Sequence, residues 1–225
     1  MTGDSKAHIL TLVDAPFTLN SLSEFDWQLG SIAPWYCKGA LNSANTGCSE
    51  TSGLFMDLGS SYFHNWNGLL NTYSQAWLYD RYHLRNVRMN NVFAYEYQVL
   101  DPALVFAQVP HDVVPFYHWV NAPVESKIGG KMNPWTTLYA LQRQPNEDVT
   151  IVKIDIDTMH LENELVRQII EGPPSGIDEL FYEHHVNLAP LHGNWQSVNF
   201  TINLYDSFKM FQNLRRLGIR SHSWP

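Results

Sequence analysis

Short apolar runs that close on an acid recur along the chain, and between them lie stretches with apolar residues at helical spacing. The first run, Gly53-Leu-Phe-Met-Asp-Leu-Gly-Ser-Ser61, contains Asp57 and ends in Gly59 and two small residues. It predicts a strand followed by a tight turn in which glycine permits close backbone approach. A polar loop leads to residues 74–84, a helix opened by the N-cap residue Ser74. Residues 92–96 predict a second strand ending at Glu96, and a brief helical patch follows at 103–108. The third strand is expected at 113–120, its early half weakened by Pro115, because proline cannot donate to a ladder. Residues 125–148 read as a loop with one turn of helix.

The most regular stretch is 149–157, a β-branched run ending in Asp155 and Asp157, and it passes at once into a helical pattern over 158–170. Leu161, Leu165, Val166, Ile169 and Ile170 give that helix an apolar face, and Gly172 followed by proline ends it. A fifth strand, 177–186, is loaded with ionisable groups, and a helix over 204–217 follows, stopped by Gly218. Residues 219–224 supply a final strand. Alternating strands and helices predict an α/β fold: a Rossmann-like, doubly wound, mostly parallel sheet with helices on both faces. In such sheets ligands bind at the carboxyl ends of the strands. Residues 1–52 show no sustained period and predict an irregular segment, a flap packed on a single domain spanning 53–225.

Composition narrows the partners. With 225 residues, 44% hydrophobic, the chain can bury one sizeable core. A net charge of -8, with only 14 Lys and Arg, excludes a polyanion-binding field and directs attention to a small molecule or carbohydrate rather than nucleic acid. No apolar run approaches a membrane span, and the opening residues lack the regions of a signal peptide. A soluble protein is expected, with the cytoplasm preferred. The sequon at Asn199 and the pair Cys37 and Cys48 keep a secretory lumen as the alternative.

Five elements in order carry a resemblance: Phe55-Met-Asp-Leu-Gly59, Ala94-Tyr-Glu96, Val120-Asn-Ala122, Val152-Lys-Ile-Asp-Ile-Asp157 and Asp178-Glu-Leu-Phe-Tyr-Glu-His-His185. Together they resemble the S-adenosylmethionine-dependent methyltransferases, most closely the FkbM-type group, over residues 53–222. The resemblance implies S-adenosyl-L-methionine as cofactor, held around Asp57, Gly59, Ser60, Ser61, Glu96, Asn121 and Asp155. It implies O-methylation of a small-molecule or sugar hydroxyl. The turn departs from a glycine-rich cofactor loop: Ser60, Ser61, Tyr62 and Phe63 follow Gly59.

The chemistry at the strand ends leaves more than one reading. Two residues apart on a strand, Asp155 and Asp157 are expected to share a face. With Glu183 and His184 or His185 they suit a divalent metal bound through hard oxygens and imidazole. They suit equally an arrangement in which one group positions an acceptor and another deprotonates it, with Asp157 or His185 as base and Glu183 and His160 beside them. On the fifth strand Glu183 and His185 face one way and His184 the other, so one histidine is expected in the core. Lys153, inside an apolar strand, is expected to be buried against a carboxylate. Two further functions stand beside methyl transfer: a catalytically silent binding module, suggested by the missing glycines, and a metal-dependent nucleotide-sugar glycosyltransferase using Asp155 and Asp157.

Overall fold

The structure, a computed structural model, describes residues 51–64, 74–141, 148–172, 176–186 and 201–224. Residues 1–50 of the expected N-terminal flap, with Cys37, Cys48 and Asn199, lie outside the described residues, whereas Thr51 and Ser52, expected in the irregular segment, are strand. Six strands form one sheet: β1 (Thr51–Leu58), β2 (Val87–Tyr95), β3 (Tyr117–Val120), β4 (Val149–Ile154), β5 (Glu179–Tyr182) and β6 (Arg220–Ser223). Their order is β3-β2-β1-β4-β5-β6 and every neighbouring pair is parallel. This is the Rossmann-like order, in which the direction of winding reverses between β1 and β4.

Period-two alternation in the central strands explains why both faces are covered. Leu54, Met56 and Leu58 of β1, with Val152 and Ile154 of β4, point into one apolar cluster, whereas Phe55, Val149 and Ile151 point into the other. Helix α1 (Gln75–His83) adds Ala76, Leu78 and Tyr82 to the second cluster, and α2 (Pro102–Phe106) adds Val105. The first receives Trp135 and Leu138 of α3 (Pro134–Leu141), Leu165, Val166 and Ile169 of α4 (Met159–Glu171), and Phe211 and Leu214 of α5 (Leu204–Arg216). Among the described residues no helix is long and apolar enough to cross a membrane.

Local chemistry sets the boundaries. The Ser74 hydroxyl accepts the Trp77 N–H at 3.3 Å and starts α1, as expected. Asn203 and Asp206 form a reciprocal capping box at the start of α5. Several expectations need correction. β2 begins at Val87 rather than 92, because its Arg and Asn residues, poor strand formers, are carried by the ladder to β1. The early half of the third strand is a 3-10 turn, Val114–Phe116, holding Pro115. The region 125–148 contains a helix of 8 residues, α3, whose start is secured by the Asn133 side chain accepting the Trp135 N–H at 2.9 Å. β4 ends at Ile154 and β5 at Tyr182, so Asp155, Asp157, Glu183, His184 and His185, expected on these strands, sit just beyond them.

Candidate functional site

Two clusters of charge stand at the carboxyl edge of the sheet. The first is built on a cross-strand pair: Asp57 of β1 lies in register with Lys153 of β4. Lys153 Nζ is 3.0 Å from Asp57 Oδ1, 3.1 Å from Asp155 Oδ2 and 3.2 Å from the Gly59 carbonyl, and it lies over the Trp224 ring. The Trp224 indole N–H donates to the same Asp155 oxygen at 3.1 Å. Burial opposes the lysine charge, but Asp155 and Asp57 outweigh it and hold Lys153 above its ordinary pKa. Asp155 is also desolvated, yet Lys153, with a hydrogen bond from the Trp224 N–H, keeps it below the usual carboxylate value. Asp57, wholly buried, is pushed above its ordinary value by desolvation despite Lys153. The expected burial of Lys153 against a carboxylate is thus observed. Asp57 lies beneath the surface, where it has no opening to a ligand.

The turn after β1 is set by its neighbours. Gly59 has φ +83°, and a Cβ there would fall 1.7 Å from the Asp155 carbonyl oxygen. Glycine is therefore required by the close passage of the β4 loop. The Gly59 and Ser60 N–H groups both donate to the Tyr95 carbonyl at 3.0 Å, and the Ser61 N–H donates to Glu96 Oε2 at 2.7 Å. Glu96 Oε1 accepts the Gln98 N–H at 2.6 Å. Asn121 clamps the same corner, donating to the carbonyls of Glu96 at 2.9 Å and Gln98 at 2.6 Å. Glu96 and Asn121 thereby shape the β2 end, and each carboxylate oxygen of Glu96 retains room for a further donor.

Above this turn, at the winding reversal, opens a cleft of about 320 Å³. Gly59, Ser61, Glu96, Asp155 and Asp157 line it, together with residues 95–98, Ala122, Val124 and Ile156. The hydroxyl oxygens of Ser60 and Ser61 are buried and make no hydrogen bond within the described residues. A larger apolar hollow, about 650 Å³, lies between α3 and α4. Its two charged residues, Arg167 and Glu171, are paired with each other, and no titratable cluster converges on it.

The second cluster adjoins the cleft through Asp157. That residue has φ +58° and a side chain 73% exposed, so its carboxylate does not share a strand face with Asp155, contrary to the alternation expected for 149–157. The cause is the end of β4 at Ile154, which frees the following backbone from the period of two. Past β5, Glu183 and His185 do face one way. His185 Nε2 lies 3.6 Å from Glu183 Oε2, 3.9 Å from Asp157 Oδ1 and 4.0 Å from Glu162 Oε2. His184 turns to the other side, its Nδ1 2.9 Å from the Ser207 hydroxyl, where burial lowers its pKa to about 4. His160 is exposed on the first turn of α4 and does not line the cleft.

Glu162 is the residue that sequence reasoning missed. It is fully buried in the first turn of α4; Oε1 accepts the Ile156 N–H at 2.7 Å, while Oε2 has no hydrogen-bond partner within the described residues. Burial pushes its pKa up to about 7 against the Ile156 and Asp157 N–H groups, and the charges of Asp155 and Asp157 add to the rise. A signal was present: Glu162, Leu165, Val166 and Ile169 follow helical spacing, which puts a carboxylate on an apolar face. No family model, no curated protein and no solved structure matches this chain.

Proposed function

We propose that the protein is an S-adenosylmethionine-dependent methyltransferase acting on the hydroxyl of a small molecule or sugar. One observation carries the reading. The cleft at the winding reversal is lined by Gly59, Ser61, Glu96 and Asp155, side by side with the acidic cluster at Asp157. The lining fits the cofactor: Gly59 and Ser61 bring small residues to the cleft, and Glu96 suits a ribose diol. When bound, S-adenosylmethionine supplies a methyl group made electrophilic by its sulfonium.

The chain's own residues divide the remaining work. Glu96, held by the Ser61 and Gln98 N–H groups, is fixed in one orientation and accepts the ribose hydroxyls through its remaining lone pairs. Lys153 keeps Asp155 ionised at the cleft wall, which favours a cationic partner there. Asp157, exposed at the cleft and backed by His185 and Glu183, accepts the proton of the acceptor hydroxyl. The turn's backbone N–H groups are spent on Tyr95 and Glu96, so the cleft offers no cradle of amides for a diphosphate. For that reason, and because Asp155 is engaged by Lys153 and Trp224, the glycosyltransferase reading is not carried forward.

Isothermal titration of the full chain with S-adenosylmethionine and S-adenosylhomocysteine tests the reading. One-to-one binding is expected, weakened at least tenfold in Glu96→Ala, an effect of about 1.4 kcal/mol or more. Binding of neither ligand rejects it in favour of a silent domain.

A further inference from the structure

The histidine and three carboxylates around Asp157 are spaced in an unusual way. His185 Nε2 stands 3.6, 3.9 and 4.0 Å from oxygens of Glu183, Asp157 and Glu162. Hydrogen bonds do not extend that far. Two ligand atoms bound to one ion at about 2.0–2.2 Å, however, are separated by roughly 3.3–4.4 Å for angles between tetrahedral and linear. The candidate ligand atoms of Asp157, Glu183 and His185 all fall within 4.8 Å of one another, so modest side-chain adjustment closes the shell.

A second observation is independent of that spacing. Glu162 is entirely buried, and its Oε2 is aimed at His185 with no hydrogen-bond partner within the described residues. A buried carboxylate oxygen without a donor is costly unless it takes up a proton or a cation completes it, and an ion bound at His185 supplies the second. Among the described residues no lysine or arginine lies within ion-pair distance of Asp157 or Glu162, and Lys153 is occupied by Asp57 and Asp155. The left-handed backbone at Asp157, strained for a residue other than glycine, swings its carboxylate toward His185.

We propose that Asp157, Glu183 and His185 bind one divalent first-row metal ion, with Mn²⁺ or Zn²⁺ as the chemical class, and that Glu162, whose Oε2 lies 4.0 Å from His185 Nε2, backs the site. Two carboxylates and one imidazole suit these ions, whereas Mg²⁺ favours an all-oxygen shell that retains several waters. Glu162 supports the site from beneath His185 and adds negative charge there, its contact with the Ile156 N–H fixing the carboxylate plane. Asp157, shared between the cluster and the cleft, leaves the ion accessible to an acceptor oxygen. With the ion present His185 serves as ligand, and the second oxygen of Asp157 remains at the cleft wall as base. The site itself does not depend on the cofactor reading, because the ion alone is the probe.

Tag-free full chain, stripped of metal, is titrated with Mn²⁺, followed by electron paramagnetic resonance of the free ion, and separately with Zn²⁺ by calorimetry. One equivalent of Mn²⁺ or Zn²⁺ is expected, with Mg²⁺ binding at least tenfold more weakly. Glu162→Gln is expected to lower affinity at least tenfold, as is Asp157→Asn, whose exposed side chain can change without disturbing the core. Glu164→Gln, on the outer face of the same helix, is expected to leave affinity unchanged. Absence of stoichiometric binding by folded protein, or binding that survives both Glu162→Gln and Asp157→Asn, would overturn the proposal. Neither result bears on binding of S-adenosylmethionine, so failure of one reading is distinguishable from failure of the other.

Discussion

Two clusters of acids sit at one sheet edge and solve the problem of buried negative charge in opposite ways. Around Lys153 the chain supplies its own cation: one ammonium bridges Asp57 and Asp155, capped by the Trp224 ring and the Gly59 carbonyl. Around His185 the chain supplies carboxylates from three segments and, for Asp157 and Glu162, no lysine or arginine among the described residues. The first arrangement is closed at Asp57 and Lys153, which are almost without exposure, and reaches the cleft only through Asp155; its work is to hold β1 against β4. The second opens to the cleft through Asp157. A compensated cluster is architecture; an uncompensated one beside a cleft is a place for a ligand.

The comparison is most severely tested by Lys153→Met. Removing the built-in cation leaves two carboxyls desolvated, and a loss of about 3–5 kcal/mol in denaturant unfolding is expected. A change within about 1 kcal/mol would mean that Asp57 is already protonated and that the clusters are alike. The next effect in size separates the two adjacent histidines. His184 faces Ser207 and Tyr182, with His185 and Asp206 as the nearest charged or titratable influences, and its folded pKa is about 4 against an ordinary 6.5. The folded state thus favours the neutral ring. Its contribution is complete above about pH 6.5 and is lost as the pH falls towards about 4, where the unfolded chain takes up the proton first. A loss of about 2–3 kcal/mol over that window is expected from this residue, and it should vanish in His184→Gln. Should both proteins show the same acid profile, His184 is not the group responsible. Smallest is Glu162→Gln without metal at pH 7, which removes a carboxyl disfavoured by burial and keeps an acceptor for Ile156. Stability within about 1 kcal/mol of the parent, or above it, is expected. A loss like that of Lys153→Met would place Glu162 among the structural residues and erase the contrast.

Much of the fold was legible because it rests on local periodicity. Ser74, Gly172 and Gly218 marked helix ends, and alternation in β1 and β4 announced strands covered on both faces. β2 was legible only in part, since residues 87–91 are strand by virtue of pairing with β1 rather than by preference. In 125–148 the pattern predicts one turn of helix and α3 has two, because its start depends on an asparagine cap beside a proline, a signal equally at home in a loop. At the site, Asp57, Gly59, Glu96, Asp155, Asp157, Glu183 and His185 all stood out as ionisable or small residues at strand ends, and the structure gathers them at one edge. Their separate tasks were not visible. Strand alternation placed Asp155 and Asp157 together, but the strand stops before either.

What the sequence determined by itself, then, is the order of strands and helices, a cross-chain alternation sufficient for a doubly wound sheet, and the set of acids delivered to its carboxyl edge. These follow from residue spacing, and spacing is a property of the chain alone. Which acid meets which partner was decided only by tertiary structure. Register between β1 and β4 puts Lys153 beside Asp57; the backbone turn at Asp157 parts it from Asp155; and the first turn of α4 brings Glu162 under His185. Charge acts through distance, and those distances exist only once separate segments have folded against one another.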